Sequence, residues 1–146
     1  MSKSVNPVSR QIAHCVWVDL STRKIGLEID INNDVLTELY QSWFKFLTAT
    51  RDEIKRLPIS EMDCENTQNI LWLLIEIVND GIRPHLTKWS ARFRYWYKHL
   101  EDESKGISPQ KLQTQFPQYD ELVADLLRAN NDMIVRRDHL YNLVTG

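Results

Sequence analysis

The chain has 146 residues, 42% of them hydrophobic, with 18 bases against 20 acids and a formal net charge of −2. That length fits one domain over 1–146 with a real core, the near-neutral balance argues against a general nucleic-acid binder, and four Gly with five Pro leave too little turn chemistry for an all-β fold. No apolar run approaches the roughly 18–20 residues of a membrane span, and the N-terminal MSKSVNPVSRQ has no apolar signal region, so the expected location is the cytoplasm.

In chain order, Asn6-Pro7 predicts an N-cap with Pro at the first helical position, and Ile12, Val16 and Leu20 carry that helix to about Lys24. Ile25, Leu27, Ile29 and Ile31 then alternate with polar residues, a strand period. An extended connector laid on the helices is expected there, with a hairpin to Cys15–Leu20 as the competing reading. Asn32, Asn33 or Asp34 is placed to cap a second helix reaching Leu57 and stopped by Pro58. Ser60 with Asp63 resembles a capping box.

The segment from Asn69 to Leu100 organises the chain. Ile70–Val78 is apolar nearly all round, broken only by Glu76, as suits a helix in the middle of a protein. Asn79-Asp80-Gly81-Ile82-Arg83-Pro84 reads as a hinge, yet Leu74, Val78, Ile82, Leu86, Trp89 and Phe93 hold one apolar phase across it. A single helix kinked at Pro84 and a helix-turn-helix both remain open. Ser108-Pro109 opens a short helix ending before Pro117, and a last long helix runs from Pro117 to about Val144. The fold class is all-α: an antiparallel bundle of four or five main helices with one short accessory helix.

Charge is segregated along the chain. Residues 25–82 hold four bases against eleven acids, whereas 83–100 hold five bases, no acid, two His and five aromatics. Trp89, Phe93 and Trp96 fall on the core stripe, leaving Lys88, Arg92, Arg94, Tyr95, Tyr97 and Lys98 to the surface. Arg and Tyr favour interfaces, so Lys88, Arg92, Arg94, Tyr95 and Lys98 are the candidate partner-binding residues. Docking of a protein partner or homo-oligomerisation is the first reading, a solvated basic face the second, and nucleic acid the third. Near the core stripes, Glu76 needs a charged partner if buried, and Arg51, Arg83 and Arg137 are the candidates for a structural polar core. Arg83 is expected to be at least half buried and to brace the kink through Glu76 or Asp80.

Nothing marks a catalytic centre. Cys15 and Cys64 are isolated and read as reduced, buried thiols, no CxxC, HExxH, glycine-rich phosphate loop or nucleophile signature occurs, and no metal or cofactor is expected. One weak match stands out. Arg94 with His99 (R-x4-H), and Arg92 with His99 (R-x6-H), resemble the motif of HEPN-type ribonucleases, helical bundles of similar length in which Arg and His act on RNA across a dimer interface. A polar residue usually follows the motif Arg in that family, whereas Phe93 and Tyr95 follow here. An HEPN-like ribonuclease or RNA-binding bundle is therefore the alternative to a non-catalytic subunit.

The strings VWVDLSTRKIGL, LYQSWFKFLTATRDEIKRLP, VNDGIRPHLTKWSARFRYWY and SPQKLQTQFPQYDELVADLLRAN resemble a family of small, uncharacterised all-helical bacterial proteins. Members share an L-x-T-R helix, a Tyr-rich helix ending in T-R, an L-R-P-x-L-x-x-W segment and an F/W-P-x-Y-x-x-L helix. The resemblance covers nearly the whole chain, with Arg23, Arg51, Arg83, Pro84 and Trp89 at signature positions. It implies a bacterial cytosolic accessory component of a mobile-element or phage-defence operon, and no particular activity.

Overall fold

The computed structural model describes residues 6–146 and contains no strand among them. The elements are α1 (Pro7–Thr22), α2 (Leu36–Lys55), a 3₁₀ turn (Ile59–Glu61), α3 (Glu65–Glu76), α4 (Arg83–His85), α5 (Ala91–Glu101), α6 (Pro109–Gln113) and α7 (Tyr119–Thr145). The first five residues of the N-terminal stretch lie outside the described residues. Among the described residues no helix is long and apolar enough to cross a membrane.

α3, α4 and α5 are one central helix over 65–101, joined by π-helical segments at Ile77–Ile82 and Leu86–Ser90. Of the two readings of the hinge, the structure shows the continuous helix. Pro84 cannot donate a bond and would crowd the carbonyl four residues back. The wider turn relieves that crowding, and the Arg83 N–H donates to the Val78 carbonyl five residues earlier. The cause is legible in the burial pattern. Ile77 with Val78, Gly81 with Ile82, His85 with Leu86 and Trp89 with Ser90 are all buried, a repeat of four residues where an α-helix turns in 3.6.

Asn6 caps α1 as its sequence requires, its Oδ1 accepting from Val8 N at 2.8 Å and Ser9 N at 3.3 Å. Ser108 caps α6 in the same way through Lys111 N. Two expected caps are replaced. Asp34 Oδ2 accepts from Asp30 N inside the preceding loop, and α2 begins at Leu36, whose N–H donates to Gln113 Oε1 of α6 at 2.9 Å. Ser60 falls in the 3₁₀ turn and Asp63 just beyond it, and α3 starts only after Cys64.

The 23–35 connector is neither a hairpin nor extended. Turns close it at Gly26 and Leu27, which both donate to the Arg23 carbonyl, while Ile25 and Ile29 are buried. Asn130 of α7, itself buried, holds it: Nδ2 donates to the carbonyls of Lys24, Ile25 and Leu27, and Oδ1 accepts from Ile29 N. The alternation that looks like a strand is thus a loop with two apolar anchors and a side chain supplying its backbone partners.

Contacts set the helix directions. Tyr40 meets Phe93 and Trp43 meets His85, so α2 runs antiparallel to the central helix. Glu76 with Arg136 and His85 with Asp125 make α7 antiparallel to it as well. Gly81 allows the close approach, since a Cβ there would lie 2.6 Å from Met133 Sδ. α1 packs chiefly on α7, with Trp17 against Tyr141.

Candidate functional site

The central helix presents two surfaces of chemical interest, one polar chain in the core and one open cleft. His85 lies between the two π segments and is fully buried. Its Nδ1 is 2.7 Å from Asp125 Oδ2 of α7, and its Nε2 is 2.9 Å from the Tyr40 hydroxyl of α2. An ionised carboxylate only accepts, so the imidazole proton sits on Nδ1 and Tyr40 O–H donates to Nε2. Arg128 then donates to the other Asp125 oxygen from Nε at 3.2 Å and Nη2 at 3.0 Å.

Burial and charge act oppositely along this chain. Burial pushes the His85 pKa below its ordinary value, against the Asp125 hydrogen bond and charge that raise it. Burial pushes Asp125 up, but its bonds to His85 and Arg128 outweigh that and hold it below the usual carboxylate value. Tyr40 is raised well beyond the ordinary phenol value by burial and by the Asp125 charge. The phenol therefore stays protonated and serves as a donor, which makes this chain a neutral-His brace between three helices.

The cleft lies on the other side of Tyr40. It measures about 560 Å³ and runs between α2 and the central helix from Ser90 to Glu101. Tyr40, Phe93 and Tyr97 form its buried aromatic floor, and Phe44 of α2 is 43% exposed at its wall. Arg94 and Lys98 line it together with Glu38 and Glu101. Burial, then the Glu101 charge, raises the Tyr97 phenol. None of the four charged side chains has an ion pair among the described residues, and the Ser90 and Tyr97 hydroxyls have no hydrogen bond there.

The sequence-predicted docking residues are all exposed. Lys88 lies with Nζ 5.0 Å from the Trp89 ring centroid, and Arg92, Arg94, Tyr95 and Lys98 follow on α5, Arg94 and Lys98 at the cleft and Arg92 about 160° round the helix from Arg94. Tyr95 is 70% exposed. Tyr97, expected at the surface, is instead buried, because the wide turns carry the core phase through Phe93 to Tyr97 and leave Trp96 half-buried.

Arg94 and His99 are not brought together. Five residues at about 100° each put them roughly 140° apart on the helix. Arg94 lines the cleft, whereas His99 Nδ1 donates to the Tyr95 carbonyl at 2.8 Å, its ring tilted 50° against Tyr95 at a centroid distance of 4.4 Å. Arg92 shares the His99 stripe two turns earlier, without a recorded contact.

The expected polar core of Glu76, Arg83, Arg51 and Arg137 is corrected by the structure. Glu76 faces solvent and meets Arg136 Nη1 at 3.4 Å. Arg51 and Arg83 are exposed and have no side-chain bond among the described residues. Arg137 is partly buried and does bind backbone, donating from Nη1 to the Gly26 carbonyl at 2.8 Å. The buried polar residues are others: His85, Asn130, Gln113, Thr50, Ser90, and Ser9 with Thr67.

Cys15 and Cys64 are free and half-buried rather than fully buried, and no three His, Cys, Asp or Glu side chains among the described residues converge as metal ligands. No family model, curated protein sequence or solved structure matches the chain.

Proposed function

We propose that this chain is a non-catalytic interaction subunit that docks a protein partner through the basic-aromatic face of Lys88, Arg92, Arg94, Tyr95 and Lys98. One observation carries the reading. Every lysine or arginine ion pair among the described residues lies outside 83–100, at Arg23, Lys24, Arg56, Arg128, Arg136 and Arg137. Six of the twelve lysines and arginines described outside that segment are ion-paired and none of the five within it is, so Lys88, Arg92, Arg94 and Lys98 stand without an ion pair beside an exposed Tyr. Arg and Tyr are the side chains that anchor protein interfaces, since each covers apolar area and offers directed donors.

The family resemblance supports the same reading, as it implies an accessory component of a bacterial mobile-element or phage-defence system acting in the cytoplasm. The alternative, an RNA-directed HEPN-like role, would use the same cations, but Arg94 and His99 point to different sides of α5.

Affinity capture from the native host tests the proposal. The full chain is compared with a Lys88→Glu/Arg92→Glu variant of unchanged melting behaviour. Recovery of a discrete protein by the native chain and its loss from the variant is the expected result. Recovery of RNA alone, or a protein recovered equally by both, contradicts it.

A further inference from the structure

We infer that the occupant of the α2–α5 cleft is a second copy of this chain, packed with its own α5 antiparallel to the first. This rests on the reading of the face as a docking surface and adds the partner on its cleft side.

The argument is one of charge. Arg94, Lys98, Glu38 and Glu101 line the cleft and none is ion-paired among the described residues. A uniformly acidic partner would meet Glu38 and Glu101, and a uniformly basic one would meet Arg94 and Lys98. A surface with two charges of each sign is complementary to itself. An interface about a two-fold axis requires that property, because the same patch serves both sides and residue i meets j while j meets i.

The order of charges along α5 fixes the direction. Arg94 and Lys98 precede Glu101, and 83–100 contain no acid. A parallel arrangement would set Arg94 against Arg94. An antiparallel one, with its axis beside Tyr97 and Lys98, sets Arg94 of each copy opposite Glu101 of the other. Arg94 and Glu101 are seven residues apart, about two turns, so both lie on one stripe and both contacts form together. Glu38, across the cleft on α2, is the acid left for Lys98 of the second copy. The same packing covers the exposed Phe44 ring and offers partners to the free Ser90 and Tyr97 hydroxyls. A stable interface needs about 800 Å² from each side. The cleft alone is a small part of that, so the exposed Tyr95 flank joins it and the dimer dissociates on dilution.

Sedimentation velocity of the full chain over a concentration series is the test, with Arg94→Glu and Glu101→Arg variants beside it. The native chain is expected to shift from monomer to dimer with concentration. Each variant alone places like charges opposite each other twice and should associate about tenfold or more weakly. Mixed one to one, the two variants should dimerise again, because each reversed position then faces an opposite charge. A misfolded variant could not be rescued in this way. Single variants that still dimerise, or a mixture that stays monomeric, overturn the interface. A native chain that is monomeric throughout, while Lys88 and Arg92 still govern capture of another protein, overturns the second copy and leaves the docking face standing. A monomeric chain that captures nothing overturns both.

Discussion

His85 Nδ1 stands 2.7 Å from Asp125 Oδ2 in a core position, where the imidazole is fully buried and the carboxylate reaches solvent. With Tyr40 on the other ring nitrogen, this pair ties α2, the central helix and α7 together at one point. Two of those elements are the walls of the cleft, so the brace sets the spacing of the proposed docking surface.

Removing the middle of that brace should therefore be costly. His85→Ala leaves a cavity and strands Tyr40 O–H and one Asp125 oxygen, an expected loss of about 3–5 kcal/mol. Tyr40→Phe keeps the packing and strands only Nε2, an expected loss of about 1–2 kcal/mol. Urea unfolding of both variants checks the order. A His85→Ala protein as stable as the native chain would show that the brace contributes nothing.

Acid should weaken the fold through the same residue. The folded His85 pKa lies below the ordinary 6.5, so the unfolded chain takes up a proton first as pH falls. The stability that neutral His85 contributes is full above the unfolded value and is lost as pH drops through the folded one. Asp125 is also depressed, and its contribution is lost only at lower pH, below the ordinary 3.8. Unfolding free energy measured between about pH 7 and pH 5 should decline, and the decline should be shallower in His85→Phe. Equal slopes in the two proteins would contradict this.

Asn130 makes a separate prediction. Its side chain fills four backbone partners of the 24–29 loop, so Asn130→Ala leaves a buried N–H and three carbonyls without them. A loss of about 2–4 kcal/mol is expected. Hydrogen exchange should locate the effect at the Ile29 amide. Unchanged protection there would mean the loop is held by its apolar anchors alone.

The helices and their proline-led starts were legible because they rest on local chemistry: Asn6-Pro7, Ser108-Pro109 and the apolar phases. Buried polar residues were harder to read, since partners distant in sequence decide them. Asn130 interrupts an apolar stripe and His85 sits in a basic run, and neither names the loop or the Tyr40 and Asp125 groups that satisfy it. One signal for His85 was present, in its four-residue spacing from Ile77 and Gly81. A 3.6-residue period obscures that signal, and the π turns reveal it. The proposed docking residues were legible as an exposed run of cations with Tyr95, whereas the cleft beside them depends on α2 lying antiparallel to α5.

Arg83 reverses its sequence expectation. Exposed and unbonded, it should tolerate Arg83→Ala within about 0.5 kcal/mol in a thermal melt. A loss of several kcal/mol would restore it as a brace of the central helix.

The docking face itself is tested most directly at Tyr95, the exposed aromatic amid the free cations. A photo-crosslinking phenylalanine analogue at this position, expressed in the native host and irradiated, records what touches the face. The same analogue at exposed Arg51 on α2 is the control. The account predicts discrete protein adducts at position 95, including the chain's own dimer, and none at position 51. Adducts to RNA alone, or the same pattern at both positions, would contradict it.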